Sequence, residues 1–131
     1  MTLSPSRVGA NGHTHRVGDA LYIFLNGSDH WLDWLRNFDP RTIRVCSLRL
    51  QRSWAQMAVG VRSQLDLAGV ERVIVEGFSM GGAVAQIVGW MLQADYRVEV
   101  ITHAAPAAGN RALHKDIDGV TTRYVAPWDV V

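Results

Sequence analysis

The sequence predicts an α/β fold, a mostly parallel sheet of about five strands flanked by helices. Three observations carry this. Short apolar runs alternate along the chain with segments whose apolar residues recur at helical spacing, the pattern of strands joined through helical crossovers. The run Val73-Ile74-Val75 is apolar without alternation, which suits a central strand covered on both faces. Gly77-Phe78-Ser79-Met80-Gly81-Gly82 follows that run and precedes the small-residue pattern Ala83-Val84-Ala85-Gln86-Ile87-Val88, so it reads as a strand-to-helix turn.

The elements follow in order. Residues 1–16 contain His13, His15, two glycines and a proline but no apolar stretch, and they read as a mobile N-terminal arm. The ordered domain is expected over 17–131. Leu21 to Leu25 is a strand that ends at the turn cluster Asn26-Gly27-Ser28-Asp29. Ile43 to Leu48 reads as a second strand. Trp54, Met57, Ala58, Val61, Leu65 and Ala68 keep helical spacing, and Gly69 closes that helix. Arg72 to Glu76 is the strand before the glycine-rich turn. Val84, Ile87, Val88, Met91 and Leu92 then mark one face of the next helix. Arg97 to Thr102 is a strand, Pro106 and Gly109 break the chain, a short helix covers Asn110 to Ile117, and Thr121 to Val125 is a last strand before Pro127. In such sheets ligands bind at the carboxyl ends of the strands.

Composition narrows the function classes. The chain has 131 residues, 48% hydrophobic and 19% charged, with a formal net charge of +1. That balance gives no electrostatic case for nucleic acid. The single cysteine, Cys46, excludes an intrachain disulfide, and its place in the Ile43 to Leu48 run predicts a buried thiol. No stretch approaches the ~18–20 apolar residues of a membrane span. With no signal peptide in view, the default expectation is a cytoplasmic location. No phosphate-binding loop and no Cys/His ligand set is present, so neither a cofactor nor a metal is expected.

The chemistry concentrates at Ser79. A serine hydroxyl framed by glycines at a sharp strand-to-helix turn is exposed to substrate, and the helix that follows aims its N–H groups and positive dipole end at the same point. The hydroxyl still needs a neighbouring base to become a nucleophile. On local pattern alone, a glycine-rich turn without chemistry or an anion-binding turn also fits.

The flanks make the pattern specific. Gly77-Phe78-Ser79-Met80-Gly81-Gly82-Ala83-Val84-Ala85 resembles the G-H-S-L-G-G-A-L-A signature of the class 3 (fungal-type) lipases, of the α/β-hydrolase superfamily. Phe24 to Ser28, followed by Asp33-Trp34-Leu35, resembles that family's F-R-G-S/T strand end and its D-W-L. Ala105 to Asn110 resembles its S-P-R-V-G-N stretch, and Thr122 to Val131 its closing R-V-V-N…D-x-V-P stretch. The four segments stand in the family's order and span residues from about 21 to 131.

The resemblance implies that Ser79 is the acyl-forming nucleophile and Asp129 the acid that orients a histidine. It further implies that Ser28, with the backbone N–H of Met80, forms the oxyanion hole. There are departures. Phe78 stands where the family has His, and Asn26 and Ala107 where Arg is usual. In this fold the triad runs Ser, Asp, His along the chain, yet the sequence ends two residues after Asp129. The expectation is therefore a truncated α/β-hydrolase-like domain that lacks the family's C-terminal histidine segment with its last strand and helix. His30, two residues past Ser28, and His103, at the end of a strand, are the candidate bases. Both have a competing reading, as a surface-loop residue for His30 and a packing residue for His103.

On the substrate side, Trp31, Trp34, Leu35 and Phe38 fall at i, i+3, i+4 and i+7, one apolar helical face. In the resembling family this segment is the lid over an acyl pocket, although the same side chains could serve the core. The leading expectation is a serine esterase or lipase acting on an apolar acyl ester. A catalytically impaired or dead relative that binds acyl ligands, and a thioesterase or acyltransferase, are the alternatives. The strand Thr121 to Val125 would form an uncovered sheet edge on which copies of the chain could pair.

Overall fold

The computed structural model describes residues 2–3, 11–26 and 41–125. Its main sheet has six strands in the order β1-β2-β3-β6-β7-β8, counting the two-residue β1. These are β1 (Thr2–Leu3), β2 (Asn11–Val17), β3 (Ala20–Asn26), β6 (Arg72–Phe78), β7 (Arg97–His103) and β8 (Thr121–Tyr124). β3, β6, β7 and β8 are parallel neighbours, whereas β1 and β2 add antiparallel at one edge. Helices α1 (Arg52–Ser63), α2 (Met80–Leu92) and α3 (Arg111–Ile117) lie between the successive parallel strands, with a 3₁₀ turn at Asp118–Val120. The mostly parallel α/β sheet expected from the sequence is the one observed.

One core joins the three helices to one face of the sheet. It takes Leu21, Ile23 and Leu25 from β3, Val73 and Val75 from β6, and Val100 from β7, all 5% exposed or less. Trp54 and Val61 of α1 and Leu113 and Ile117 of α3 belong to the same cluster. α2 lies in the middle, with eleven of its thirteen residues buried. Hence its sequence shows no polar face, as expected of a helix buried over most of its surface. Gly89 permits the close approach, since a Cβ there would strike the Val100 side chain.

Two expectations fail. Ile43 to Leu48 is no sheet strand. β4 (Thr42–Val45) and β5 (Leu48–Gln51) form a separate antiparallel hairpin with Val45 opposite Leu48. The reversal falls at Cys46 and Ser47, where Cys46 takes φ 55° without a glycine, asparagine or proline to mark the turn. Cys46 is accordingly exposed, not buried. Secondly, all of β2 but Val17 lies within the stretch 1–16 read as an arm, yet the strand pairs with β3 along its length. Its sequence is polar because it needs no apolar run at this edge of the sheet. The signal that could have found it is Gly18-Asp19, a two-residue hairpin loop in which Gly18 adopts φ 60°.

Candidate active site at the β6–α2 elbow

Ser79 connects β6 to α2 with φ 54° and ψ −122°, outside the regions a side chain readily occupies. A residue held this way costs on the order of 1–3 kcal/mol and persists only where its surroundings fix it. The backbone supplies the fixing. The Ser79 N–H donates to the His103 carbonyl at 2.8 Å, and the Ser79 carbonyl accepts from the N–H groups of Gly82 and Ala83 at 3.0 and 3.2 Å. The half-buried Ser79 side chain makes no capping bond to the helix it precedes.

The surrounding glycines are required by contact. A Cβ at Gly77 would run into the Gly81 carbonyl, one at Gly81 into the Leu25 carbonyl and the Asn26 backbone, and one at Gly82 would lie 2.5 Å from the Ala105 Cβ. The elbow thus touches the end of β3 on one side and the segment after β7 on the other. Met80, the first residue of α2, is buried at 3% exposure.

His103 ends β7 beside Phe78. Its Nε2 lies 3.1 Å from Glu76 Oε2, and its ring stacks on Tyr124 with centroids 5.1 Å apart and planes 9° apart. Alternation along β6 puts Glu76 and Phe78 on the sheet face away from α2. The ring is thus engaged on that far face with Glu76 and Tyr124. After it the chain turns at Ala104, φ 51°, whose N–H donates to the Tyr124 carbonyl. Gln86, fully buried on α2, holds the following loop at both ends. It donates to the Pro106 carbonyl at 3.0 Å and accepts from the Ala108 N–H at 3.3 Å. Asn110 then caps α3.

The structure therefore brings Ser79, Met80 and His103 to one end of the sheet. Ser28, His30, Trp31, Trp34, Leu35, Phe38 and Asp129 lie outside the described residues. His13 packs against Phe24 with ring centroids 5.3 Å apart, and His114 Nδ1 accepts from the Arg123 guanidinium at 2.6 Å. Burial, and then the Arg123 charge, hold His114 below the ordinary histidine pKa. Sequence reasoning passed over Glu76 and Gln86. Their signal was a polar residue at an apolar position, in a strand and in a wholly buried helix. Among the described residues no group of three or more His, Cys, Asp or Glu could hold a metal ion, and no helix is long and apolar enough to cross a membrane.

A parallel sheet whose central strand ends in a strained serine turn defines the α/β-hydrolase superfamily as the class to which this chain belongs. Within it, the model of the family Lipase (class 3) matches residues 22–131, and the chain belongs to that family. Three solved structures are similar in fold. One is a triacylglycerol lipase whose catalytic centre is described as a serine protease triad, at 20% identity over 95% of this chain and 56% of that one, TM-score 0.79. The Rhizomucor miehei triacylglyceride lipase matches at 18% identity, 95% and 56% coverage and TM-score 0.77. The lipase of Rhizopus microsporus var. chinensis matches at 20% identity, 95% and 51% coverage and TM-score 0.75. The chain spans about half the length of the structures it matches.

Proposed function

We propose that the chain carries the nucleophile of a lipase-type ester hydrolase that works through an acyl-enzyme on Ser79. The observation that carries this reading is the backbone of Ser79 itself, held at φ 54° with no side-chain bond capping the buried helix that it precedes. In the reaction the Ser79 Oγ attacks the ester carbonyl carbon as a base takes its proton. The oxyanion that forms is held by the N–H of Met80 and by Ser28. Collapse breaks the bond to the alcohol, which leaves with the proton, and water then releases the acyl group by the same steps. Two donors at the oxyanion are worth roughly 3–4 kcal/mol each in comparable acyl-transfer sites.

Asp129 is proposed as the acid that orients the base. With the His103 ring turned to Glu76 and Tyr124, His30, two residues after the oxyanion serine in the sequence, is the base we favour of the two candidates. The substrate proposed is an apolar carboxylic ester, with Trp31, Trp34, Leu35 and Phe38 on the acyl side. Labelling by a fluorophosphonate and hydrolysis of p-nitrophenyl esters test the mechanism. Ser79→Ala should abolish labelling and lower turnover by at least about a thousandfold, and turnover that survives the substitution would refute it. A second reading, acyl binding without turnover, draws on one observation. Of the four described histidines, His103 and His114 have their rings bonded to Glu76 and Arg123, and His13 and His15 stand on β2. Wild-type protein that binds acyl ligands but resists the fluorophosphonate would favour it.

A further inference from the structure

The hairpin β4–β5, α1 and the second half of α2 enclose a groove of about 340 Å³, lined by Ile43, Leu50, Val59, Ile87, Trp90 and Met91 among others. The volume falls within the range of small-molecule sites. It is separate from the elbow: Ile87 and Met91 lie 8 and 12 residues beyond Ser79, about 12–18 Å along the helix. Its walls are almost wholly apolar, Gln56 being the one polar side chain, and they reach solvent at Ile43 and Val59, 36% and 59% exposed.

Charge selects the occupant. The α1 residues that line the groove are Ala55, Gln56 and Val59, and Arg52 completes the same stripe at i, i+3, i+4 and i+7. Arg52 is thus the head of the stripe, one turn before the apolar lining begins. It opens the N-terminal turn of a twelve-residue helix that has no acidic residue in that turn, so the guanidinium and the helix dipole are positive together. No carboxylate among the described residues forms an ion pair with it. The chain-wide charge of +1 hides the local excess. From Arg41 to Leu65 there are five arginines and no acid; Arg44 and Arg49, opposite each other on the hairpin, alternate to its face away from the groove-lining Ile43, Val45 and Leu50, which leaves Arg52 as the cation beside the groove. At Trp90 the indole N–H is already given to Asp116 Oδ2 at 3.1 Å, so that side offers a bound carboxylate and no cation.

We propose that this groove binds a single-chain anionic amphiphile, a fatty carboxylate, with its tail along Val59, Ile87 and Met91 and its head at Arg52. The choice of a fatty acid rests on the acyl-ester reading above; the groove and its charge do not. A product site remote from the nucleophile would let released acid act back on the protein without occupying the elbow.

The test uses the full chain carrying Ser79→Ala, so that ester hydrolysis plays no part, and sodium dodecanoate below its micellar concentration, followed by titration calorimetry. Saturable one-to-one binding is expected, tightening about fourfold per methylene from octanoate to dodecanoate. Arg52→Gln should weaken dodecanoate at least tenfold and leave dodecanol unchanged. Val59→Trp, at an exposed position that tolerates a large side chain, should fill the groove and remove both. Absence of binding overturns the proposal, as does binding indifferent to both substitutions. A concentration-dependent dimer that Val59→Trp dissociates would assign the groove to a second copy and equally overturn it. None of these results depends on whether Ser79 proves to be a nucleophile.

Discussion

The two faces of the sheet are built from the same strands, yet they have opposite characters. On the helix side Leu25, Val73, Val75 and Val100 are fully buried. On the other, one residue along each strand, Tyr22, Phe78 and Tyr124 are 42%, 54% and 57% exposed, and Glu76 and His103 form a half-exposed pair. Ile74 shows the boundary between them. It is only 6% exposed, but it lies outside the core cluster and is covered within the sheet, between Tyr22 and Glu99 in register. The difference teaches where the elbow gets its rigidity. Strain at Ser79 is held by the backbone bond to the His103 carbonyl and from the helix side, where Gly77 meets Gly81, and the open face contributes only the half-exposed contact between Glu76 and His103.

The largest effect should come from adding one methyl at the end of the covered row. Gly77→Ala drives a Cβ into the Gly81 carbonyl, and because backbone cannot move aside as a side chain can, the cost should reach about 3 kcal/mol or more. In thermal unfolding that is a fall of roughly 10 °C. The neighbouring change Phe78→Ala, facing the other way, should stay within about 0.5 kcal/mol. Equal losses at the two positions would mean that the faces are not distinct.

A smaller and cleaner contrast comes from a side chain in mid-strand. Val75 is fully buried, touching the space over Gly89, and Val75→Ala should cost about 2–3 kcal/mol from lost burial and the void left behind. Urea unfolding would read this as a lower midpoint at unchanged slope.

The comparison also explains what the sequence could and could not reveal. The helix-side pattern was legible because burial writes itself into composition: Val73 to Val75, the Trp54 to Val61 spacing and the small residues of α2 all announced their elements. The elbow was legible because three successive steric demands at Gly77, Gly81 and Gly82 leave a glycine each. β2 was not, since a polar strand near the sheet edge carries no apolar code, and only the Gly18-Asp19 loop hinted at it. The hairpin at Cys46 was hidden because a positive φ fell on a residue that does not signal turns. Gln86 was lost among apolar neighbours, although its two bonds to the loop at Pro106 and Ala108 position one wall of the elbow.

The smallest effect is a pH dependence that belongs to the helix side. His114 stands on α3, next to core residue Leu113, and burial together with the Arg123 charge lowers its folded-state pKa. Its Nδ1 accepts the Arg123 N–H, a bond that only the unprotonated nitrogen can make. The unfolded chain keeps the ordinary value near 6.5, so between that value and the lower folded one the unfolded state binds more protons. Stability therefore rises with pH through this window. The contribution is present above about pH 6.5 and is lost as the pH falls through 6.5 toward the folded pKa. His114→Gln should flatten the pH dependence of the urea midpoint below pH 6.5 and leave the midpoint at pH 8 almost unchanged. Arg123→Gln should flatten it partly, because burial, the larger cause, remains. A slope unchanged in His114→Gln would show that another group controls acid stability, and that the burial of α3 against the core is not felt by its one titrating ring.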